Sequence, residues 1–233
     1  MGDFKDSYLI WIVAGLIALV LLIIFVAVLA SKGAEKRQKE LDDYEINQVG
    51  KAGEAYVADC LKGIIDVFGG YLINDFCFED RKGYSTEIDH ILITQGGVFI
   101  IETKTNRGTI YGGVDDEKWL CVKKDYQDDK ELRNPVIQNQ RHINNLRRVF
   151  NRKPPKMFSV IIFSLADTDI SNIQIENVFD VPSAIAYIRQ LTTEAHYSKD
   201  FVERIKKDFD YIDKHYSISK EQHIKNVQKI HKK

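Results

Sequence analysis

The sequence has no C-x-x-C pair and no Cys/His cluster, and its cysteines, Cys60, Cys77 and Cys121, are odd in number. That pattern argues against a disulfide scaffold and against a zinc site, and it fits a reducing compartment. Net charge is also missing: 33 Lys and Arg stand against 34 Asp and Glu. No basic field surrounds the chain, so affinity for nucleic acid has to come from a local patch. Internal repeats and low-complexity tracts are absent. No basic n-region precedes the apolar segment near the N-terminus, and position 6 is Asp rather than the Ser or Thr of a myristoylation signal.

That apolar segment is uncharged from residue 8 to residue 30. As a helix rising 1.5 Å per residue it would extend roughly 34 Å, enough for a bilayer core and longer than the apolar core of a cleaved signal peptide. Tyr8 and Trp11 sit where interfacial anchors belong. Asp3, Lys5 and Asp6 precede the run, whereas Lys32, Lys36, Arg37 and Lys39 follow it. The positive-inside rule therefore expects a single-pass membrane protein with residues 1–7 outside and the C-terminal body in the cytoplasm.

Residues 31–46 read as a charged linker. A helix is expected over 47–65, where Ala52, Ala55, Tyr56, Cys60, Leu61 and Ile64 recur at helical spacing. Short Ile-, Val- and Phe-rich runs predict strands at 71–78 and on both sides of Gln95-Gly96-Gly97. "GTIYGG" and "KWLCVKK" read as two more. Asn134-Pro135 opens a helix reaching about Phe150, "KMFSVIIFS" reads as a strand buried on both faces, and "VPSAIAYIRQL" reads as a short helix. Phe201, Ile205, Phe209, Ile212 and Tyr216 mark a further helix, and Ser219 with Gln222 caps a last basic one. The expectation is an α/β fold, a mixed central sheet flanked by helices, with a main domain over 47–195 and a helical tail over 196–233.

The stretch "EIDHILITQGGVFIIETKT" reads as a β-hairpin, yet it carries Asp89, His90, Glu102 and Lys104. A two-residue turn at Gln95-Gly96 pairs residue 89 with 102; one at Gly96-Gly97 pairs 89 with 104. Either turn gathers Asp89, Glu102 and Lys104 on one face, whereas a three-residue loop would not. Two close carboxylates repel unless a cation sits between them. A hard divalent ion, Mg²⁺ or Mn²⁺, suits oxygen ligands from Asp89 and Glu102, with Lys104 beside it to orient water and offset negative charge.

Two elements outside the hairpin add to this constellation. In Gly50-x-x-Gly53-Glu54 the glycines permit close approach of the helix to the sheet, and Glu54 could add a carboxylate. On the Asn134 helix, Asn134, Gln138, His142 and Leu146 fall on one stripe, so Gln138 could position a water or a phosphate.

These residues resemble the nuclease-related domain (NERD) family, of the PD-(D/E)xK restriction-endonuclease-like fold. The resemblance is carried by "GKAGE", "EIDHILIT", "GVFIIETKTNRGTI", Trp119 and "NPVIQNQRHINNL" and covers roughly residues 47–165. It implies Asp89 and Glu102 as metal ligands, Lys104 as catalytic lysine, Glu54 and Gln138 as supporting catalytic groups, and His90 in an accessory place. Asn134 and His142 accompany Gln138 on its helix. The function expected is a membrane-anchored, Mg²⁺-dependent nuclease acting on nucleic acid, DNA ahead of RNA. Candidate phosphate contacts are Lys123, Lys124, Arg141, Arg147, Arg148, Arg152 and Lys153. The alternatives are a non-catalytic membrane-tethered scaffold that keeps the fold, and hydrolysis of another phosphate-bearing substrate.

Overall fold

The computed structural model describes residues 3–123 and 129–230, apart from the side chains of 3–15, 17, 18, 20, 22 and 230. The first element is α1 (Asp3–Phe68). The segment 31–46, expected as a connector, is thus helical, as its many Glu, Lys and Gln residues allow. Among the described residues no helix is long and apolar enough to cross a membrane. The run 8–30 falls in large part on side chains outside that description.

The chain divides into two compact units, 1–49 and 50–233. In the second unit, α1 from Gly50 onward is followed by β1 (Tyr71–Glu79), β2 (Ser85–Thr94), β3 (Gly97–Lys104), β4 (Gly108–Tyr111), β5 (Lys118–Val122) and β6 (Lys130–Arg133). Then come α2 (Pro135–Val149), β7 (Met157–Phe163), β8 (Thr168–Asp169), β9 (Val178–Asp180), α3 (Val181–Glu194), α4 (Lys199–Tyr216) and α5 (Lys220–Ile230). The helices of the 196–233 tail belong to this unit.

Among the described residues there are two sheets instead of one. The larger has the order β1-β2-β3-β7-β9, antiparallel up to β3 and parallel beyond it. The smaller has the order β6-β5-β4-β8. Gly108 makes the passage between them possible: its φ is 119°, and a Cβ there would lie 2.2 Å from the Val122 carbonyl oxygen.

Alternation along β3 sorts the core into two layers. Val98 and Ile100 pack with Ile143, Leu146 and Val149 of α2 and with Ile205 and Phe209 of α4. Phe99 and Ile101 pack with Val57, Leu61 and Ile64 of α1 and with Ala184 and Ile188 of α3. The buried stripe of α1 therefore runs through Val57, Leu61 and Ile64, while Ala55 and Tyr56 are exposed.

Along β1 and β2 the alternation slips. Tyr71 and Ile73 pack on the α2/α4 side, but so do Phe76 and Phe78. On β2, Ile88 shares that side with Ile91 and Ile93. The phase thus changes between Ile73 and Phe76 and, opposite, between Ile88 and Ile91. Asp75, in the left-handed region at φ 51°, marks the place on β1. Asp89 and His90 mark it on β2.

Candidate active site

The hairpin turns at Gln95-Gly96. Thr94 pairs with Gly97 and His90 with Ile101, a register that sets Asp89 opposite Glu102. The ladder ends at His90, and the Asp89 carboxylate takes over: its Oδ2 accepts the Thr103 amide at 2.7 Å. By the alternation of β3, Glu102 and Lys104 face α2, where Gln138 and His142 meet them.

Lys104 Nζ donates to Glu102 Oε1 at 2.7 Å and to Gln138 Oε1 at 3.1 Å. Gln138 Nε2 donates to the same Glu102 oxygen at 2.7 Å, closing a triangle of three side chains. His142 Nε2 lies 3.3 Å from Glu102 Oε2. Glu102 is 3% exposed. Burial works to raise its carboxyl, but Lys104 and His142 outweigh that, and the group sits below the usual carboxylate range. For Asp89 the balance is reversed: burial first, then the Glu102 charge, hold its carboxyl well above that range, and the Thr103 amide and the Lys104 charge offset this only in part. The two carboxyls are therefore shifted in opposite directions, Glu102 well compensated and Asp89 only in part.

Glu54, half-buried on α1, is raised by burial, with Asp75, Glu87 and Glu102 adding to the rise and Lys220 opposing it. Its approach depends on Gly53, where a Cβ would lie 2.3 Å from Thr105 Cγ2 and 2.4 Å from Ser164 Oγ. Gly50, with nothing within 4 Å, has no such role.

His90 is 2% exposed. Its Nδ1 pairs with Asn74 Oδ1 at 2.9 Å, while Nε2 is buried without a partner among the described residues. Burial pushes the imidazole down to about 4, so it is neutral near pH 7. Thr103 Oγ1, on the neighbouring strand, is another buried polar atom without a partner among the described residues.

Asn134 does not join the site. Its Oδ1 caps α2 through the Val136 and Ile137 amides, and its Nδ2 donates to the carbonyls of Gly113, Val114 and Asp116. Of the polar stripe on α2, only Gln138 and His142 reach Glu102.

The basic candidates divide. Arg141, Arg147 and Lys153 are exposed. Arg148 is a structural tie: its Nε lies 2.5 Å from Asp80 Oδ2, and its guanidinium stacks over the Tyr84 ring. Arg152 Nε donates to Asp208 Oδ1 at 2.9 Å. Lys123 borders the smaller sheet just after β5, and Lys124 lies outside the described residues.

Sequence reasoning missed Asp75, Lys220 and His223. Lys220 Nζ lies 2.5 Å from Glu87 Oε1 and 3.5 Å from Asp75 Oδ1. His223 Nδ1 is 2.5 Å from Ser85 Oγ. No spacing links α5 to a hairpin more than a hundred residues earlier, so no sequence signal marked these contacts.

The Asp89 and Glu102 carboxylates suit a hard divalent cation, which commonly takes one or two protein carboxylates, waters and substrate phosphate. Asp89, which Lys104 and the Thr103 amide compensate only in part, is the group that gains most from it. Among the described residues no cluster of three or more His, Cys, Asp or Glu side chains is gathered to hold a metal.

The chain is similar over 106 residues, at 32% identity, to an uncharacterized protein of Bacillus anthracis, a match covering 46% of this chain and 49% of that protein. The chain thus spans about half the length of that relative. No solved structure matches it. The family model described as "Nuclease-related domain" matches residues 49–164, which contain Glu54, Asp89, Glu102, Lys104 and Gln138. Over that span, the chain carries a nuclease-related domain.

Proposed function

We propose that this chain is a metal-dependent nuclease of restriction-endonuclease-like fold that hydrolyses phosphodiester bonds in DNA in preference to RNA. Residues 8–30 would tether it to a membrane, with the body in the cytoplasm. The observation that carries the catalytic reading is the Glu102–Lys104–Gln138 triangle beside the Asp89 carboxyl, which is only partly compensated, within a nuclease-related domain.

Asp89 and Glu102 would hold the Mg²⁺ or Mn²⁺ ion, which supplies Lewis acidity to the phosphoryl group when bound. The chain's own groups do the rest. Lys104 carries three donors on a compact charge. With one hydrogen bond released from Glu102, it can hold an attacking water or offset charge on a phosphoryl oxygen. Gln138 keeps both neighbours in place by donating to Glu102 and accepting from Lys104. The Thr103 amide orients Asp89. Arg141, Arg147 and Lys153 are exposed cations available to backbone phosphates.

One observation favours a second reading, a non-catalytic tethered module. The Glu102 oxygens are already met by Lys104, Gln138 and His142, so the network is satisfied without a ligand. The test is digestion of labelled single- and double-stranded DNA and RNA by the full chain in detergent, with Mg²⁺, Mn²⁺ or EDTA. Cleavage that needs the divalent ion supports the nuclease. Cleavage unaffected by EDTA, or none on any substrate, contradicts it.

A further inference from the structure

We infer that α5, outside the matched nuclease-related region, is a working part of the candidate site, with Lys220 as a positioning residue that ties β1 to β2 beside Asp89. The inference rests on Asp89 belonging to the site.

β1 and β2 pair from Tyr71–Ile93 to Asn74–His90 and again from Phe76–Ile88 to Glu79–Ser85. The rung between, Asp75 with Asp89, is missing. The left-handed backbone of Asp75 breaks the ladder there, and two carboxylates directly opposite each other repel. On its other side Asp89 has also left the ladder, and among the described residues its carboxylate holds β3 through the Thr103 amide. The backbone that aims Asp89 is thus the least tied stretch of β2.

Lys220 supplies a substitute rung. Its Nζ lies 2.5 Å from Glu87 Oε1 on β2 and 3.5 Å from Asp75 Oδ1 on β1, bridging the two strands at the gap. His223 braces the same strand through Ser85 Oγ at 2.5 Å, with its Nε2 3.8 Å from Glu87 Oε2. Asn226 donates to Glu79 Oε2 at 3.0 Å, and the Ile218 amide donates to the Cys77 carbonyl at 3.1 Å. None of the described α5 side chains is fully buried, so polar contacts dock the helix. The Lys220 charge reaches Glu54 as well, opposing the rise that burial imposes on that carboxyl. A helix docked only for stability would bury an apolar face; this one places a cation at the break next to Asp89.

The test uses the full chain as wild type, Lys220→Ala, Lys220→Arg and Asn226→Ala. Asn226→Ala removes an α5 contact away from the gap. Hydrogen exchange of the Thr103 amide, resolved by mass spectrometry, reads the Asp89 contact without any need for turnover. Lys220→Ala should speed it on the order of tenfold; Lys220→Arg and Asn226→Ala should leave it near wild type. Unchanged exchange in Lys220→Ala, or equal acceleration in Asn226→Ala, overturns the inference. In a cleavage assay Lys220→Ala should lower kcat with KM held, and Lys220→Arg should restore it; equal kcat in wild type and Lys220→Ala overturns it too. If wild type cleaves nothing, the nuclease reading fails, while the exchange result still decides the role of Lys220.

Discussion

Lys104 Nζ lies 2.7 Å from Glu102 Oε1, two residues back on the same strand, and Gln138 bridges the pair from α2. Glu102 is therefore charged and compensated, whereas Asp89 is held above its ordinary range by burial and by that same Glu102 charge. From sequence the two carboxylates look equivalent; the structure separates them.

Their amide substitutions should accordingly differ. A lowered carboxyl contributes stability that is present above its unfolded pKa and is lost as pH falls through the folded one. Glu102→Gln removes that contribution and leaves Lys104 without its partner, so at pH 7 it should cost about 3 kcal/mol. A raised carboxyl acts in the opposite sense: its stability is present at low pH and is lost as pH rises. Asp89→Asn should therefore leave the metal-free protein unchanged or stabilised at pH 7. Denaturant unfolding of the three proteins checks this, and equal losses in both variants would contradict the assignment. In both variants Mn²⁺ affinity by calorimetry should fall.

His90 gives a pH signature of its own. The unfolded chain binds a proton below about 6.5, but the folded His90 resists it down to about 4. Stability should be full above the first value and should decline between the two by about 3 kcal/mol. His90→Asn should flatten that part of the curve. Parallel curves for wild type and variant between pH 7 and pH 4.5 would show that His90 does not titrate this way.

Gly53→Ala tests how closely α1 approaches the sheet. The new Cβ would meet Thr105 Cγ2 and Ser164 Oγ at 2.3 and 2.4 Å, so helix or sheet must shift. The expected cost is about 1–3 kcal/mol, typical of overpacking. Activity should also fall, because Glu54 follows the glycine directly. Gly50→Ala, facing open space within the helix, should leave activity unchanged and raise stability by up to about 1 kcal/mol. A silent Gly53→Ala would refute the close approach.

Much of this arrangement can be read from the sequence where local chemistry decides. A two-residue hairpin turn within Gln95-Gly96-Gly97, the Asn134 cap with Pro135, and the Phe209–Ile212 stripe of α4 depend on neighbours in the chain; that the turn falls at Gln95-Gly96 came from the structure. Other parts depend on distant partners. β6, β8 and β9 are strands of two to four residues with no run of their own, formed because β5, β4 and β7 offer them edges. The face change at Asp75 requires a left-handed backbone at a residue other than glycine, which no pattern announces. Asn134 counts as a site residue by helical spacing, but the same side chain is consumed in capping α2. Of the candidate site, the hairpin charges and Gln138 were legible; Lys220 was not, since charge pairing across the fold leaves no periodic trace.

The membrane reading has a simple check. The full chain should fractionate with membranes, and deletion of residues 1–31 should release the body. Protease added outside intact cells should leave the body uncut. Cleavage of the body from outside would reverse the orientation.

The most direct measurement compares wild type with Lys104→Ala for binding and cleavage in one assay, across single- and double-stranded DNA and RNA with Mn²⁺. Lysine is no ligand for a hard cation, so Mn²⁺ affinity should hold or rise slightly. Substrate affinity should drop only modestly, because phosphate contacts are spread over several cations. Cleavage should fall by on the order of 10²-fold or more, as when a positioned group acting on transition-state charge is lost. Equal cleavage rates in the two proteins would contradict the role of Lys104, and binding without cleavage by wild type on every substrate would identify a tethered nucleic-acid-binding module instead.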